Sequence, residues 1–136
     1  MLIDIPLKEN ISFHDGSIFN AEAMAFSLNR FRKIGTLNYL LNEKIEDIEV
    51  KEEFLLRIKL KKPSSSLTSL LTSVNLTPVS PNSYSKYKDS FNNKKFIGTG
   101  PYLLESFNSS QQIIKPFDNY WGAKPLNKGI NFINYS

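Results

Sequence analysis

IEDIEVKEEFLLRIKLKKP, residues 45–63, carries the clearest structural pattern in the chain. Ile48 and Val50 alternate with Asp47, Glu49 and Lys51, and after the polar turn around Glu52, Phe54, Leu56, Ile58 and Leu60 alternate with Leu55, Arg57, Lys59 and Lys61. A period of two puts successive side chains on opposite faces of a strand, so both runs have one apolar and one mostly charged face. The pattern predicts a β-hairpin whose apolar face needs a cover. Pro63 closes the second strand because it cannot donate to a ladder.

The segments on either side read as a strand, short helices and turns. Upstream, residues 2–13 read as a strand running into the tight turn His14-Asp15-Gly16-Ser17. Asn20 then caps a helix, with Glu22 placed against its positive end. Met24, Leu28 and Phe31 recur at helical spacing, extended by Ala21 and Ile34, while Phe26 off that stripe predicts cover on a second side. Gly35 ends the helix, and Thr36 opens a short one presenting Leu37, Leu40 and Leu41.

Downstream, Ser64, Ser65 and Ser66 offer caps to a helical face of Leu67, Leu70, Leu71 and Val74, followed by an extended stretch at 76–79. After Ser80-Pro81-Asn82, the rings Tyr84, Tyr87 and Phe91 suit a short surface helix, and the polar residues 92–95 a loop between subdomains. Gly98-Thr99-Gly100-Pro101 interrupts regular structure. Residues 102–107 and 112–117 then form a hairpin about Asn108-Ser109-Ser110, with Pro116 expected at an edge or bulge. A turn region at 118–125 leads to a last strand at 130–135, whose unpaired edge invites pairing with a second copy of the chain.

At 136 residues and 40% hydrophobic content, the chain is long and apolar enough for a packed fold. The absence of Cys excludes disulfides, thiolate metal ligands and thiol nucleophiles. A net charge of +4 permits an anionic partner without requiring one. Met1 to Pro6 lacks the basic start and apolar run of a signal peptide, no apolar run is long enough to span a bilayer, and neither end reads as a natural domain terminus.

No group of residues makes a reaction centre. His14 is the sole His, and its neighbour Asp15 points the other way on a strand or turn, so the pair reads as turn chemistry. The glycines at 98 and 100 lack the Lys-Ser or Lys-Thr pair and following helix of a phosphate cradle, and are expected to serve backbone geometry. Lysines 59, 61, 62, 86, 88, 94 and 95 with Tyr84 and Tyr87 offer a basic surface with stacking rings. Glu43, Glu46, Asp47, Glu49, Glu52 and Glu53 interrupt it, which favours a solvated mixed-charge face. Trp121, ahead of Gly122, reads as an anchor for a loop.

The order of motifs is more specific than any one of them. Residues 13–17 (FHDGS), 19–24 (FNAEAM) and 26–28 (FSL), the strand at 54–63 ending Leu60-Lys61-Lys62-Pro63, and Val79-Ser80-Pro81 follow one another in sequence. Ile97-Gly98-Thr99-Gly100-Pro101-Tyr102, Asn119-Tyr120-Trp121-Gly122, Lys124-Pro125 and residues 130–132 complete the series. This series resembles the extracytoplasmic solute-binding proteins of family 5, which carry oligopeptides, dipeptides or nickel for ABC importers. The family's Arg upstream of the Asn-x-Tyr-Trp series is replaced here by Phe117-Asp118.

The resemblance implies an α+β fold: a small mixed α/β subdomain of a type II periplasmic-binding-protein-like architecture, with antiparallel hairpins and short helices packed on the sheet. It implies that residues 1–96 form the additional subdomain of the first lobe, and that 97–136 supply a hairpin and strand re-entering that lobe. Full members are several times longer, with two lobes around a cleft, so this internal fragment alone is expected to bind no solute tightly. The implied function is capture of peptides or related solutes, nickel chelates included, for delivery to a membrane ABC permease. The implied location is periplasmic or extracytoplasmic and membrane-associated. No catalytic residue, metal ligand, cofactor or nucleic-acid partner is expected. Thr77 and Ser80, in an extended uncharged stretch, are the candidate cleft-facing contacts. The rival reading is a basic interaction module for nucleic acid or an anionic surface.

Overall fold

The computed structural model describes residues 1–86 and 96–135. The chain divides into two compact units, Met1–Glu9 with Phe19–Pro78, and Asn10–Ile18 with Val79–Ser136. The 96/97 division drawn from the sequence falls inside the second unit. Tyr87, Phe91 and the loop at 92–95 lie outside the described residues.

In the first unit, β1 (Leu2–Pro6), β2 (Ile45–Glu52) and β3 (Leu55–Leu60) form an antiparallel sheet in the order β1-β3-β2. The hairpin forms as its alternation predicts, with one refinement. Ile45 lies three residues before Ile48, a spacing that a regular strand would send to opposite faces. A bulge between Ile45 and Asp47 restores the match, so Ile45 pairs with Leu60, Ile48 with Ile58 and Val50 with Leu56. From the other side, Ile3 faces Ile58 and Ile5 faces Leu56. On the opposite face Arg57 makes a two-pronged ion pair with Asp4 (2.6 and 2.7 Å), and Lys59 pairs with Glu46 (2.8 Å).

Helix α1 (Ala21–Ile34) covers the apolar face. Asn20 accepts from the Ala23 N–H, and the Ala21 N–H donates to Glu53 O, which ties the start of the helix to the hairpin turn. Ala21, Ala25 and Leu28 join Leu41 of α2 (Asn38–Asn42), Ile45, Leu56, Ile58, Leu60, Leu67 and Leu76 in one core. Ala23 and Ser27 are buried as well, so α1 is enclosed on more than one side, as Phe26 suggested. Ile34, at the end of the expected stripe, is exposed.

Several expectations need correction. The opening strand stops at Pro6, and Asn10 takes a positive φ of 59° rather than extending to Phe13. Gly35 ends α1 at an ordinary φ of −66°. Glycine is needed there because an added Cβ would lie 2.7 Å from the Phe31 ring and carbonyl. The helix after Pro63 is α3 (Leu67–Leu71), and it breaks before Val74. Thr72 bonds back to Ser69 O, and Ser73 caps a 3-10 turn at Val74–Leu76. That turn exposes Val74 and buries Leu76 instead.

The second unit contains α4 (Pro81–Lys86) and the antiparallel sheet β4 (Tyr102–Phe107), β5 (Gln111–Pro116) and β6 (Ile130–Ile133), in the order β4-β5-β6. Asn108 makes the hairpin turn, its side chain accepting from Ser110 and Gln111 N–H. Pro116 occupies neither an edge strand nor a bulge: it ends the central strand opposite Tyr102, beyond the last β6 pair at Ile114–Ile130. Its missing donor therefore faces no strand. The pairs Leu104–Ile114–Ile130 and Phe107–Gln112–Phe132 define one largely apolar face, on which Phe107, Ile130 and Phe132 are exposed.

Candidate functional site

Two hydrogen-bonded clusters in the second unit hold the residues on which the sequence argument turned. The first surrounds Asp15. Gly16, at φ 82°, makes the turn that only glycine adopts freely. This turn brings the Ser17 N–H (3.0 Å) and hydroxyl (2.5 Å) onto one Asp15 oxygen. The other oxygen accepts from the hydroxyls of Ser80 and Ser83 (2.9 Å for Ser83). The Ser80 carbonyl in turn receives the N–H groups of Ser83 and Tyr84, starting α4. One carboxylate thus joins the Asp-Gly turn to the head of a helix. Partial burial pushes the Asp15 pKa up, but the hydrogen bonds from Ser17, Ser80 and Ser83 outweigh it and hold the group below its usual range.

The second cluster is built on His14, whose ring turns away from Asp15. Its backbone N–H donates to Gly98 O (2.9 Å), Nδ1 accepts from the Gly98 N–H (3.4 Å), and Nε2 donates to Gly100 O (2.9 Å). The hydrogen-bond pattern assigns the neutral Nε2–H tautomer. Phe117 meets the imidazole edge-on at 4.9 Å between centroids. Trp121 donates Nε1–H to Thr99 O (3.2 Å) and its ring tilts against Tyr120, so it anchors the loop at 98–101. These glycines sit in an irregular loop, with bends at residues 99–101. Neither has a positive φ, and an added Cβ would meet nothing within 4 Å at Gly98 or Gly100.

Thr77 and Ser80 are placed differently. Thr77 is exposed, its hydroxyl turned back onto Val74 O at 2.6 Å. Ser80 is 0% exposed and committed to Asp15. Sequence reasoning missed Ser17 and Ser83 as partners of Asp15, and His14 as partner of the glycine loop. The separations of 65 residues for Asp15–Ser80 and 86 for His14–Gly100 put those pairings beyond local pattern. Of the lysines considered for a basic surface, Lys59 pairs with Glu46 and Lys61 donates to Asn42 O. Lys88, Lys94 and Lys95 lie outside the described residues. Among the described residues no group of three or more His, Asp or Glu is arranged to hold a metal, and no helix is long and apolar enough to cross a membrane.

These features can be set beside known proteins. The chain is 32% identical over 120 residues to the glutathione-binding protein GsiB of Salmonella typhi, a match covering 86% of this chain and 23% of that relative. It is 28% identical to NikA from Staphylococcus aureus, solved in complex with Ni(L-His)2. There the TM-score is 0.81, and the match covers 96% of this chain and 27% of that one. AgaA from A. tumefaciens R10 superposes with a TM-score of 0.89 at 22% identity, covering 98% of this chain and 28% of that one, which establishes the fold alone. The mixed α/β architecture is that of type II periplasmic binding proteins. The chain thus spans about a quarter of the length of the proteins it matches. Residues 3–136 match the model for bacterial extracellular solute-binding proteins, family 5 Middle, and the chain belongs to that family.

Proposed function

We propose that this chain works as part of the substrate-binding component of an ABC importer, capturing peptides or related small solutes, nickel chelates among them, and delivering them to a membrane permease. It acts outside the cytoplasm, as a binder and not an enzyme. The observation that carries this reading is the family match across residues 3–136, in a chain that superposes almost whole on solute-binding proteins. Glutathione in GsiB and Ni(L-His)2 in NikA indicate the range of solutes.

Within such a protein, residues 1–96 act as the additional subdomain of the first lobe, and 97–136 join the lobe itself. The exposed apolar face of β4-β5-β6 supports that division, since a sheet with large apolar groups in water is short of a packing partner. In the chain by itself, the free edge of β6 pairs with a second copy. Thr77 presents its side of the chain to the cleft, and Ser80 contributes through the segment it fixes.

Capture by hinge closure draws its affinity from contacts made only when both lobes meet the solute. Calorimetry with glutathione, a tripeptide and Ni(L-His)2 should therefore give no heat with this chain alone, and binding with a family-length chain that contains it. Micromolar binding by the isolated chain would overturn the shared-cleft reading. Thr77→Val in the family-length protein should weaken uptake, whereas unchanged uptake removes Thr77 from the cleft. Failure of every solute, together with steeply salt-dependent retention on DNA, would replace transport with a basic interaction module.

A further inference from the structure

The loop at residues 98–101 has a donor surface that neither turn-making nor anchoring requires. All of its carbonyls point back into the second unit. Gly98 O accepts from the His14 N–H, Thr99 O from Trp121 Nε1–H, Gly100 O from His14 Nε2–H, and Pro101 O from the Phe117 N–H at 2.9 Å. No peptide bond among the described residues is cis. In a trans peptide the N–H points opposite to the C=O of the same plane. The Thr99 N–H is therefore directed away from the backbone of His14, and the Gly100 N–H away from the indole.

Neither of these N–H groups, nor the Thr99 hydroxyl, has an acceptor among the described residues, although residues 98–100 are half-buried. Main-chain donors in such a position seek an acceptor. The glycines on either side explain how one would reach them. An alanine would fit at 98 or 100, since neither φ is positive and a Cβ there meets nothing within 4 Å. What glycine leaves at both places is uncovered backbone. Beside the loop, the Trp121 ring is 44% exposed and supplies an apolar wall.

We infer that Gly98-Thr99-Gly100 is a main-chain binding site for a carboxylate group. Two N–H groups and one hydroxyl match the two oxygens of a carboxylate, and backbone donors to an ionised acceptor make the stronger class of hydrogen bond. A phosphate is a poorer fit, because β4 and not a helix follows the loop and no lysine stands within it. The site goes beyond the transport reading and does not depend on it.

The test is an amide-resolved NMR titration of the 15N-labelled chain with sodium acetate, at ionic strength held constant with sodium chloride. Thr99 and Gly100 amide protons should move downfield and saturate, and Gly98, already bonded to His14, should move less. The double variant Gly98→Ala with Gly100→Ala should keep its thermal midpoint while its affinity for acetate falls about tenfold. Thr99→Val should give a smaller loss. Equal shifts with chloride alone, or an unchanged affinity in the folded double variant, would overturn the site. A response to neutral N-acetylglycine methylamide equal to that to acetate would also overturn it, by assigning the loop to a polypeptide carbonyl.

Discussion

The described residues hold two three-stranded antiparallel sheets whose apolar faces fare differently. In β1-β3-β2, Leu56, Ile58 and Leu60 are sealed beneath α1, Leu41 and Leu67. In β4-β5-β6, Phe107, Ile130 and Phe132 stay exposed on the apolar face, and Leu126 just before β6 is fully in water. The second sheet alternates less regularly, with Ile113 and Ile114 adjacent in β5, yet it too carries large apolar groups on one face, so alternation alone does not account for the contrast. The first sheet has a helix stacked on it within its own unit; among the described residues, the second unit's only helix is the six-residue α4. The second unit compensates with polar order, in which Asp15 and His14 fix turns and loops through directional bonds. An apolar sheet face therefore reports on the partner it lacks as much as on the strand that bears it.

The sharpest way to break this comparison is Ile58→Ala, at the centre of the first sheet. Deleting a fully buried Ile from a packed core costs about 2–5 kcal/mol. Urea denaturation should show that loss, with amide exchange accelerating across β1, β2 and β3. A loss below about 1 kcal/mol would mean the core is not what holds the first unit.

Asp15→Asn comes next. It leaves the buried Ser80 hydroxyl with a weaker partner and should cost about 1–2 kcal/mol, with faster exchange confined to residues 10–18 and 79–84. The folded pKa of Asp15 lies below its usual value of 3.8. Its contribution is therefore fully present above that value and is lost as pH falls through the lower, folded value. The wild-type chain should lose stability in acid over that window more steeply than the variant. Parallel acid profiles would remove the carboxylate from the account.

Phe132→Ser probes the uncovered sheet. A half-exposed position contributes little to the fold, so stability should change by no more than about 0.5 kcal/mol. If two copies pair through this sheet as proposed, their association measured by sedimentation velocity should weaken. An unaltered association constant would exonerate this face. The smallest effect is expected at Arg57→Gln, because exposed ion pairs contribute little even when two-pronged. The denaturation midpoint should barely move, and a shift that survives high salt would show that the charged face matters more than its exposure suggests.

Much of the first unit was legible because its signals are local. The alternation at 45–61, the Asn20 cap and the leucine spacing each depend on residues a few positions apart. Where local reading slipped, a neighbour across the fold or a competing hydroxyl intervened. Leu76 displaced Val74 because Thr72 and Ser73 broke the helix. Gly35 was chosen by the Phe31 ring and not by its φ. The site was less legible: Asp15-Gly16 announced a turn, but nothing near it announced Ser80, and Gly98 and Gly100 announced a break in regular structure without naming His14 as its partner.

By itself the sequence determined the hairpin at 45–60 and its apolar face, the helix begun by Asn20, that thiol chemistry is absent, and, through the order of its motifs, the family. Those properties follow from side-chain periodicity and composition, which act over a few residues. Only the tertiary structure decided that His14 and Asp15 part company, that one carboxylate gathers three serines, and that the loop carbonyls at 98–101 all turn inward while two N–H groups are left over. Hydrogen bonds are directional and short, so their partners are fixed by where the chain brings distant groups together.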